Sequence, residues 1–212
     1  MSIRNWSLMV LAFVLCAAPA MAQKWEVGVG GGASFYTSKQ VSGPDGQVNA
    51  KFKPGAGFTA YMGQIGDRVG GEIRYTMMFN SMELSGGSAS TSMSGRSQSI
   101  GYNLLIYTNG KDSKTRGYVL AGGGMKQYTG TGNYTGLPPF LRTAVLTNTS
   151  EWKPMLTTGV GVRVKAGESS HFRAELLVQG TETPTQVITP VMSSLGGWYF
   201  SFAPMFSLSY VW

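Results

Sequence analysis

The last fifteen residues of the chain alternate between large apolar side chains and smaller ones. The residues at every second position are Trp198, Phe200, Phe202, Pro204, Phe206, Leu208, Tyr210 and Trp212. A period of two is the repeat of a β-strand, because successive side chains point to opposite faces. The segment is longer than most strands of globular proteins, which favours a tilted strand that crosses a membrane.

The same alternation predicts seven further strands upstream. They cover residues 25–36, 56–64, 69–79, 99–107, 117–128, 156–165 and 171–179. In one of them Ile73 and Tyr75 share an apolar face, whereas Glu72 and Arg74 share the opposite face. Two of the segments, 56–64 and 117–128, are glycine-rich, and the pattern does not fix their facing. In the others the charges fall on one face only, so we expect eight strands with a continuous apolar side.

The links between these strands alternate in length. The short links are residues 65–68, 108–116 and 166–170, and the long links are residues 37–55, 80–98, 129–153 and 181–197. Bacterial outer-membrane barrels have short turns in the periplasm and long loops outside. The sequence therefore predicts an all-β fold, an eight-stranded antiparallel up-and-down transmembrane β-barrel with short periplasmic turns and long extracellular loops. We expect the low-complexity link at 80–98 to be mobile.

The composition indicates a surface that is largely hidden from water. Only 13% of the residues are charged, against about 25% in an ordinary soluble domain. No segment beyond the N-terminal region approaches the roughly eighteen apolar residues of a transmembrane helix. A helical membrane protein is therefore disfavoured.

The N-terminal region has the three-part layout of a secretory signal peptide. Arg4 precedes an apolar run at 8–18, and a small-residue cleavage site follows at 20–22. We expect residues 1–22 to be removed and residues 23–212 to form one outer-membrane barrel domain. The only cysteine, Cys16, follows Leu15, and a lipidated cysteine should follow a small residue. The mature chain then has no cysteine, which excludes disulfides and cysteine-ligated metals.

Four stretches resemble the small eight-stranded outer-membrane barrels, the OmpA/OmpX-like group. They are Gly-Gly-Glu-Ile-Arg-Tyr at 70–75, Gly-Tyr-Val-Leu-Ala-Gly-Gly-Gly at 117–124, Arg-Ala-Glu at 173–175 and Phe-Ser-Leu-Ser-Tyr-Val-Trp at 206–212. The resemblance covers essentially the whole chain after residue 22 and implies the same barrel architecture. It also implies that the barrel-assembly machinery recognises the C-terminal strand. It implies no single activity, since the group shares architecture more than function.

Seven charged residues fall on the predicted inner faces. They are Glu26, Glu72, Arg74, Arg163, Lys165, Arg173 and Glu175. An eight-stranded barrel is only wide enough to be filled by its own side chains, and an unpaired buried charge is strongly destabilising. We therefore expect these residues to pair into a salt-bridged plug that closes the lumen. The alternative is a narrow, porin-like path in which the same network rearranges to pass small solutes.

Two further groups of residues suit contact with a membrane. The aromatic residues near predicted strand ends are Trp25, Trp198, Tyr210 and Trp212, and such rings prefer the headgroup level. The cations on the predicted outer side are Lys39, Lys51, Lys53, Arg96, Arg142 and Lys153. We interpret the aromatics as interface anchors and the cations as contacts to lipopolysaccharide phosphates. The basic residues form no single stripe, so a nucleic-acid partner is not expected.

Candidate catalytic and cofactor-binding motifs have weak support. His171 lies beside Ser169 and Ser170, but in a short periplasmic turn, far from the outer leaflet where lipid-modifying barrels act. The glycine-rich run at 28–33 formally matches a dinucleotide-binding fingerprint, yet the strand alternation continues where the required helix should begin. No cluster suits a metal, and we expect no cofactor and no catalytic residue.

The sequence thus predicts a non-enzymatic, monomeric outer-membrane protein that is surrounded by lipid and lipopolysaccharide. Its barrel would be an anchor, and its long loops, above all 129–153, would serve adhesion, recognition or an envelope-structural role. Three alternatives stay open: a narrow pore, a lipid-modifying barrel enzyme, and a soluble barrel with an apolar ligand inside. Detergent-dependent solubility would separate the last from the others.

Overall fold

A computed structural model describes residues 24–44, 46–132, 140–191 and 195–212. The expected signal peptide, residues 1–22, lies outside the described residues. None of the described segments forms a helix long and apolar enough to cross a membrane. Regular structure in the described part consists of strands.

Eight long strands form a closed antiparallel barrel in the order β1-β14-β12-β11-β9-β8-β5-β4. These strands are β1 (Lys24–Tyr36), β4 (Gly55–Ile65), β5 (Val69–Phe79), β8 (Gly95–Tyr107), β9 (Thr115–Gly130), β11 (Ser150–Lys165), β12 (Ser170–Glu182) and β14 (Trp198–Val211). All eight predicted strands are confirmed. The observed strands β8, β9 and β11 are several residues longer than predicted, because polar residues at their ends continue the ladder beyond the apolar pattern.

Strands β1 and β14 close the barrel at the two ends of the described chain. The main-chain N–H of Trp25 donates to Trp212 O, and Trp212 N–H donates to Trp25 O, each at 3.1 Å. Closure leaves no unpaired sheet edge, which a strand in lipid requires, since no water is there to satisfy its backbone.

The predicted inner and outer faces are confirmed along the strands. Outward apolar side chains remain exposed, as Val29 at 63% and Leu208 at 62% illustrate. Their inward neighbours, such as Ser207 and Ser209, are buried. The structure also settles the two glycine-rich strands: Phe58 on β4 and Val119 on β9 point outward. The barrel is therefore apolar outside, whereas its interior combines polar and charged residues with a buried apolar cluster that includes Leu105, Leu177 and Met205.

The long links are more ordered than predicted. They contain six short strands: β2 (Lys39–Gly43), β3 (Gly46–Phe52), β6 (Met82–Gly86), β7 (Ala89–Met93), β10 (Ala144–Leu146) and β13 (Ile188–Pro190). Strands β2, β3, β6 and β7 form one sheet, and β10 pairs with β13. We call these six strands the cap. The link at 80–98, which we expected to be mobile, contributes the β6–β7 hairpin.

The cap packs on an apolar core that it shares with the adjoining ends of β9 and β14, which contribute Tyr128 and Tyr199. The fifteen buried residues of this core include Val48, Phe52, Met82, Leu84 and Ile188. Alternation within the links produces this core, since Met82 and Leu84 point inward while Glu83 between them does not. Polar residues such as Lys51 and Glu83 alternate with these buried positions.

Candidate functional site

Six of the seven predicted lumen charges form one network in the half of the barrel nearest the short turns. Arg173 lies at its centre, with Nη1 2.9 Å from Glu72 Oε2 and Nη2 3.2 Å from Glu175 Oε2. Arg74 bridges the same two carboxylates: its Nε donates to Glu72 Oε1 at 2.8 Å, and its Nη2 donates to Glu175 Oε2 at 3.0 Å. These four side chains are 1–6% exposed. They neutralise one another away from solvent.

The third acid, Glu26, extends the network towards the short turns. Its Oε1 lies 3.3 Å from Arg163 Nε, and its Oε2 lies 3.8 Å from Arg173 Nη1. It also accepts a hydrogen bond from the Ser209 hydroxyl. The network thus contains three carboxylates and three guanidinium groups.

Lys165 is the exception and corrects the prediction. It is the last residue of β11 and is exposed, opposite His171 in the ladder. At this position a flexible side chain can place its ammonium group in water, whereas Arg163, two residues earlier, is held inside. The alternation placed Lys165 on the correct face of β11, but it did not show that Lys165 lies at the mouth of the barrel and not inside the lumen.

Two tyrosines enclose Arg173. Its guanidinium carbon lies 4.2 Å from the ring centroid of Tyr61 and 5.0 Å from that of Tyr118. Each ring lies over a glycine on the neighbouring strand, Gly28 beside Tyr61 and Gly161 beside Tyr118. A Cβ at either glycine would overlap the ring. These glycines make room for the aromatic rings that hold the central arginine.

A buried lysine was missed by the sequence analysis. Lys126 on β9 is 2% exposed, and its ammonium group donates to Gln179 Oε1 and Ser201 Oγ, both at 2.9 Å. It also lies 4.9 Å from the ring centroid of Tyr36. Its signal was present, because Lys126 shares its strand face with Tyr118 and Leu120, but the glycines of β9 left that face unassigned.

Aromatic rings lie above this lysine, at the level where the barrel meets the cap. Phe52 packs 5.2 Å from Tyr36 and 5.4 Å from Tyr128, between ring centroids. The Phe52 main-chain N–H donates to the Tyr199 hydroxyl at 3.0 Å. All these residues pack in the core of the cap. That core is therefore continuous with the upper lumen.

The predicted interface aromatics lie at both ends of the barrel's outer surface. Trp25, Tyr210 and Trp212 are exposed at the short-turn end, and Trp198 is exposed at the start of β14 at the other end. Tyr210 stacks on Trp212, and Trp198 stacks on Phe200, with centroid separations of 6.1 and 6.3 Å. Their positions suit headgroup-level anchors.

The six outer cations are dispersed over the long-loop end. The ammonium groups of Lys51 and Lys53 lie 3.2 and 2.6 Å from the carboxylate oxygens of Glu83. The hydrogen bond from Lys53, with a further one from Lys51, holds the pKa of Glu83 below its usual value. Lys153 pairs with Glu151 at 2.7 Å. The ammonium of Lys39 donates to the carbonyl of Gly196 at 3.4 Å. Arg96 and Arg142 are exposed.

His171 is the second residue of β12, at the short-turn end of the barrel. The Nδ1 of His171 has no hydrogen-bond partner in the described part of the chain. Nor do the described residues place three His, Cys, Asp or Glu side chains where they could hold a metal ion. The arrangement can instead neutralise charge, fill the lumen and present a folded surface.

Comparison with known proteins yields one family and several barrels of the same fold. The family model described as the outer membrane protein beta-barrel domain matches residues 8–183. Neisserial surface protein A is 11% identical with a TM-score of 0.53, over 88% of this chain and 96% of that one. No curated protein matches the chain in sequence.

Two further solved structures are similar at lower scores. Ail of Yersinia pestis, solved with the heparin analogue sucrose octasulfate, is 11% identical with a TM-score of 0.48, over 90% of this chain and 99% of Ail. The N-terminal β-barrel domain of Pseudomonas aeruginosa OprF is 14% identical with a TM-score of 0.38, over 87% of this chain and 96% of that domain.

Proposed function

Because the chain belongs to the outer membrane protein beta-barrel domain family, we propose that it is a non-enzymatic envelope protein whose closed barrel anchors a folded extracellular recognition surface. The observation that supports this most directly is the apolar core of the cap, with fifteen buried residues. Surface loops without a binding role need no such core, whereas recognition benefits from a rigid scaffold. The cap would hold its exposed residues in a fixed arrangement before a partner arrives.

The orientation of the cap can be tested with single cysteines. The only cysteine, Cys16, lies in the expected signal peptide, so the mature protein would have no background labelling. Gln47 and Ser88 are exposed on the cap, and Asp112 is exposed in a short turn. On intact cells we expect a membrane-impermeant maleimide to label Gln47→Cys and Ser88→Cys but not Asp112→Cys. Labelling of Asp112→Cys alone would overturn the orientation.

We further propose that the lumen is closed. A network of ion pairs around Arg173 crosses the lumen, and the aromatic rings around Phe52 cover the lumen on the side of the cap. Purified protein in planar bilayers should therefore show no stable, large conductance. A steady open channel would favour the porin-like alternative. The conductance of the variant Arg173→Met, which lacks the central guanidinium, is compared with any small conductance of the wild-type protein.

Lipopolysaccharide is the proposed lipid partner of the long-loop end. Lys51 and Lys53 are 41% and 43% exposed in their side chains and share one carboxylate, which leaves one positive charge in excess. An ammonium group near the membrane surface attracts anionic headgroups. Reversal of both lysines to glutamate should weaken binding to lipopolysaccharide micelles, and reversal of Lys114, exposed at the opposite end, should not. Equal binding by both variants would contradict the proposal.

Two further proposals concern the assembly of the barrel and its oligomeric state. The barrel-assembly machinery would recognise β14, the strand that completes the barrel, and the folded protein would be a monomer in lipid. Deletion of β14 should block insertion into the outer membrane, while cross-linking of the intact protein in membranes should give no discrete dimer.

A further inference from the structure

Three inward-facing arginines form a row at the short-turn mouth of the barrel. Arg116 on β9 is directly opposite Arg163 on β11, and Arg163 is directly opposite Arg173 on β12. Their exposed fractions are 2%, 5% and 1%. Like charges in directly opposed positions of a sheet are destabilising, so this row requires compensation by anionic groups.

The protein compensates these three arginines unequally. Arg173 forms close ion pairs with Glu72 and Glu175. Arg163 has only the 3.3 Å contact of its Nε with Glu26. That contact lacks hydrogen-bond geometry, and Nε and Nη2 of Arg163 have no acceptor in the described part of the chain.

Arg116 is still less neutralised. Its Nε donates to Asn109 O at 3.1 Å, and its Nη2 donates to Gly66 O and Asp67 O at 3.2 and 2.5 Å. Its guanidinium carbon also lies 3.8 Å from the Tyr107 ring centroid. These contacts orient the side chain through neutral carbonyl oxygens, and the carboxylate of Asp67 attracts it without a direct contact. Its Nη1 has no acceptor among residues 24–44, 46–132, 140–191 and 195–212.

Both arginines line a cavity of about 500 Å³ between the short turns. The other charged or titratable residues lining it are Lys24, Lys111, Lys165, His171, Asp67, Asp112 and Glu168. With the histidine neutral, five positive charges therefore face three carboxylates. One of these carboxylates, that of Asp67, already accepts from the main-chain N–H of Lys111 at 2.9 Å. The cavity is large enough for a small hydrated anion and has an excess of positive charge.

We propose that this cavity binds a small phosphate-type oxyanion, held between the guanidinium groups of Arg116 and Arg163. A guanidinium presents a planar fork of donors that matches phosphate oxygens. Two adjacent forks with free donors suit a tetrahedral dianion better than a single carboxylate, which has two oxygens and one charge. The ligand would neutralise the part of the arginine row that the glutamates leave uncompensated.

The phosphate could come from free inorganic phosphate or from an inner-leaflet lipid headgroup that reaches over the rim. The test uses the full mature protein in a maltoside detergent, which contains no phosphate. Inorganic phosphate is titrated at constant ionic strength while the arginine Nε–H signals are followed by NMR. A parallel titration uses short-chain phosphatidylglycerol. The source that saturates at the lower concentration is the preferred one.

We expect a saturable shift of the Arg116 and Arg163 signals, with the Arg173 signal changing less. Arg163→Gln should weaken phosphate binding at least about tenfold, since a hydrogen bond to a charged group contributes that much. Arg163→Lys keeps the charge without the fork and should also weaken it. Lys114→Gln removes an exposed charge at the same end, outside the cavity, and should leave it unchanged.

Three results would overturn the proposal. The first is the absence of a saturable shift in the wild-type protein. The second is equal weakening of phosphate binding by Lys114→Gln and Arg163→Gln. The third is an equal shift of the Arg116 and Arg163 signals when chloride is titrated in place of phosphate. The first result needs no variant, so the test does not depend on whether Arg163→Gln folds.

Discussion

Replacement of Arg173 by methionine should be among the most damaging single changes in the barrel. Arg173 donates to Glu72, to Glu175 and twice to the Tyr118 hydroxyl, at 2.9 to 3.2 Å. Methionine fills much of the same volume but leaves three buried carboxylates with two guanidinium groups. Removal of one partner from a buried ion pair typically costs about 3–5 kcal/mol. We expect a loss of that size in the free energy of unfolding.

The double variant Arg173→Met, Glu72→Gln tests whether uncompensated charge causes this loss. It leaves two carboxylates and two guanidinium groups, with Arg74 beside Glu175 and Arg163 beside Glu26. The amide carbonyl introduced by Glu72→Gln could still accept from Arg74. The double variant should therefore be more stable than the sum of the two single losses by about 2–3 kcal/mol, the upper range for contacting residues.

Urea unfolding of protein folded in lipid vesicles, followed by tryptophan fluorescence, measures these free energies. Lys114→Gln, an exposed change at the same end, should stay within about 0.5 kcal/mol of the wild type. The reasoning is refuted if Arg173→Met is as stable as Lys114→Gln. It is also refuted if the two single losses simply add, because the network would then not be coupled.

Three further predictions concern the glycine contact, the cap core and the cap ion pair. Gly28→Ala should destabilise the barrel by about 1–3 kcal/mol through overpacking against Tyr61. Gly196→Ala should not, because a Cβ there meets no atom within 4 Å. The midpoints of urea unfolding of the two variants measure the difference. Phe52→Ala should cost about 3–5 kcal/mol within the cap and expose it to protease, while heat-modifiable gel migration still reports a folded barrel. Because the pKa of Glu83 is lowered in the folded protein, its stabilisation is complete above the unfolded pKa of about 4.3 and is lost as the pH falls from there through the lower folded pKa. Protease sensitivity of the cap should rise at acid pH in the wild type and lose this dependence in Glu83→Gln.

The sequence predicted the barrel well because its strands follow one rule throughout. An outward face of large apolar residues and an inward face that holds every buried charge impose a period of two, which the C-terminal strand up to Trp212 shows most clearly. The same rule identified Glu72 and Arg173 as inward-facing. It could not show that Arg173 is central, since this depends on Tyr61 and Tyr118, which come from distant strands.

Other features could not be predicted from the alternation alone. Lys126 was missed because Gly122 and Gly124 have no side chain to mark a face. Lys165 was placed too deep because a repeat along the strand does not define its height in the barrel. The cap was missed because its strands are only three to seven residues long, so each shows at most a few turns of the alternation, as Met82 and Leu84 do in β6.

The hydrogen bonds between Trp25 and Trp212 have a consequence for biogenesis. They join the two ends of the described chain, and Ser209 donates to Glu26 across 183 positions of sequence. Contacts of such separation form late, because the intervening chain must first be brought into place. Until β14 arrives, β1 and β12 would each present an unsatisfied edge that is costly in lipid. Closure of the barrel therefore requires β14, because β14 alone pairs with both β1 and β12 among the barrel strands.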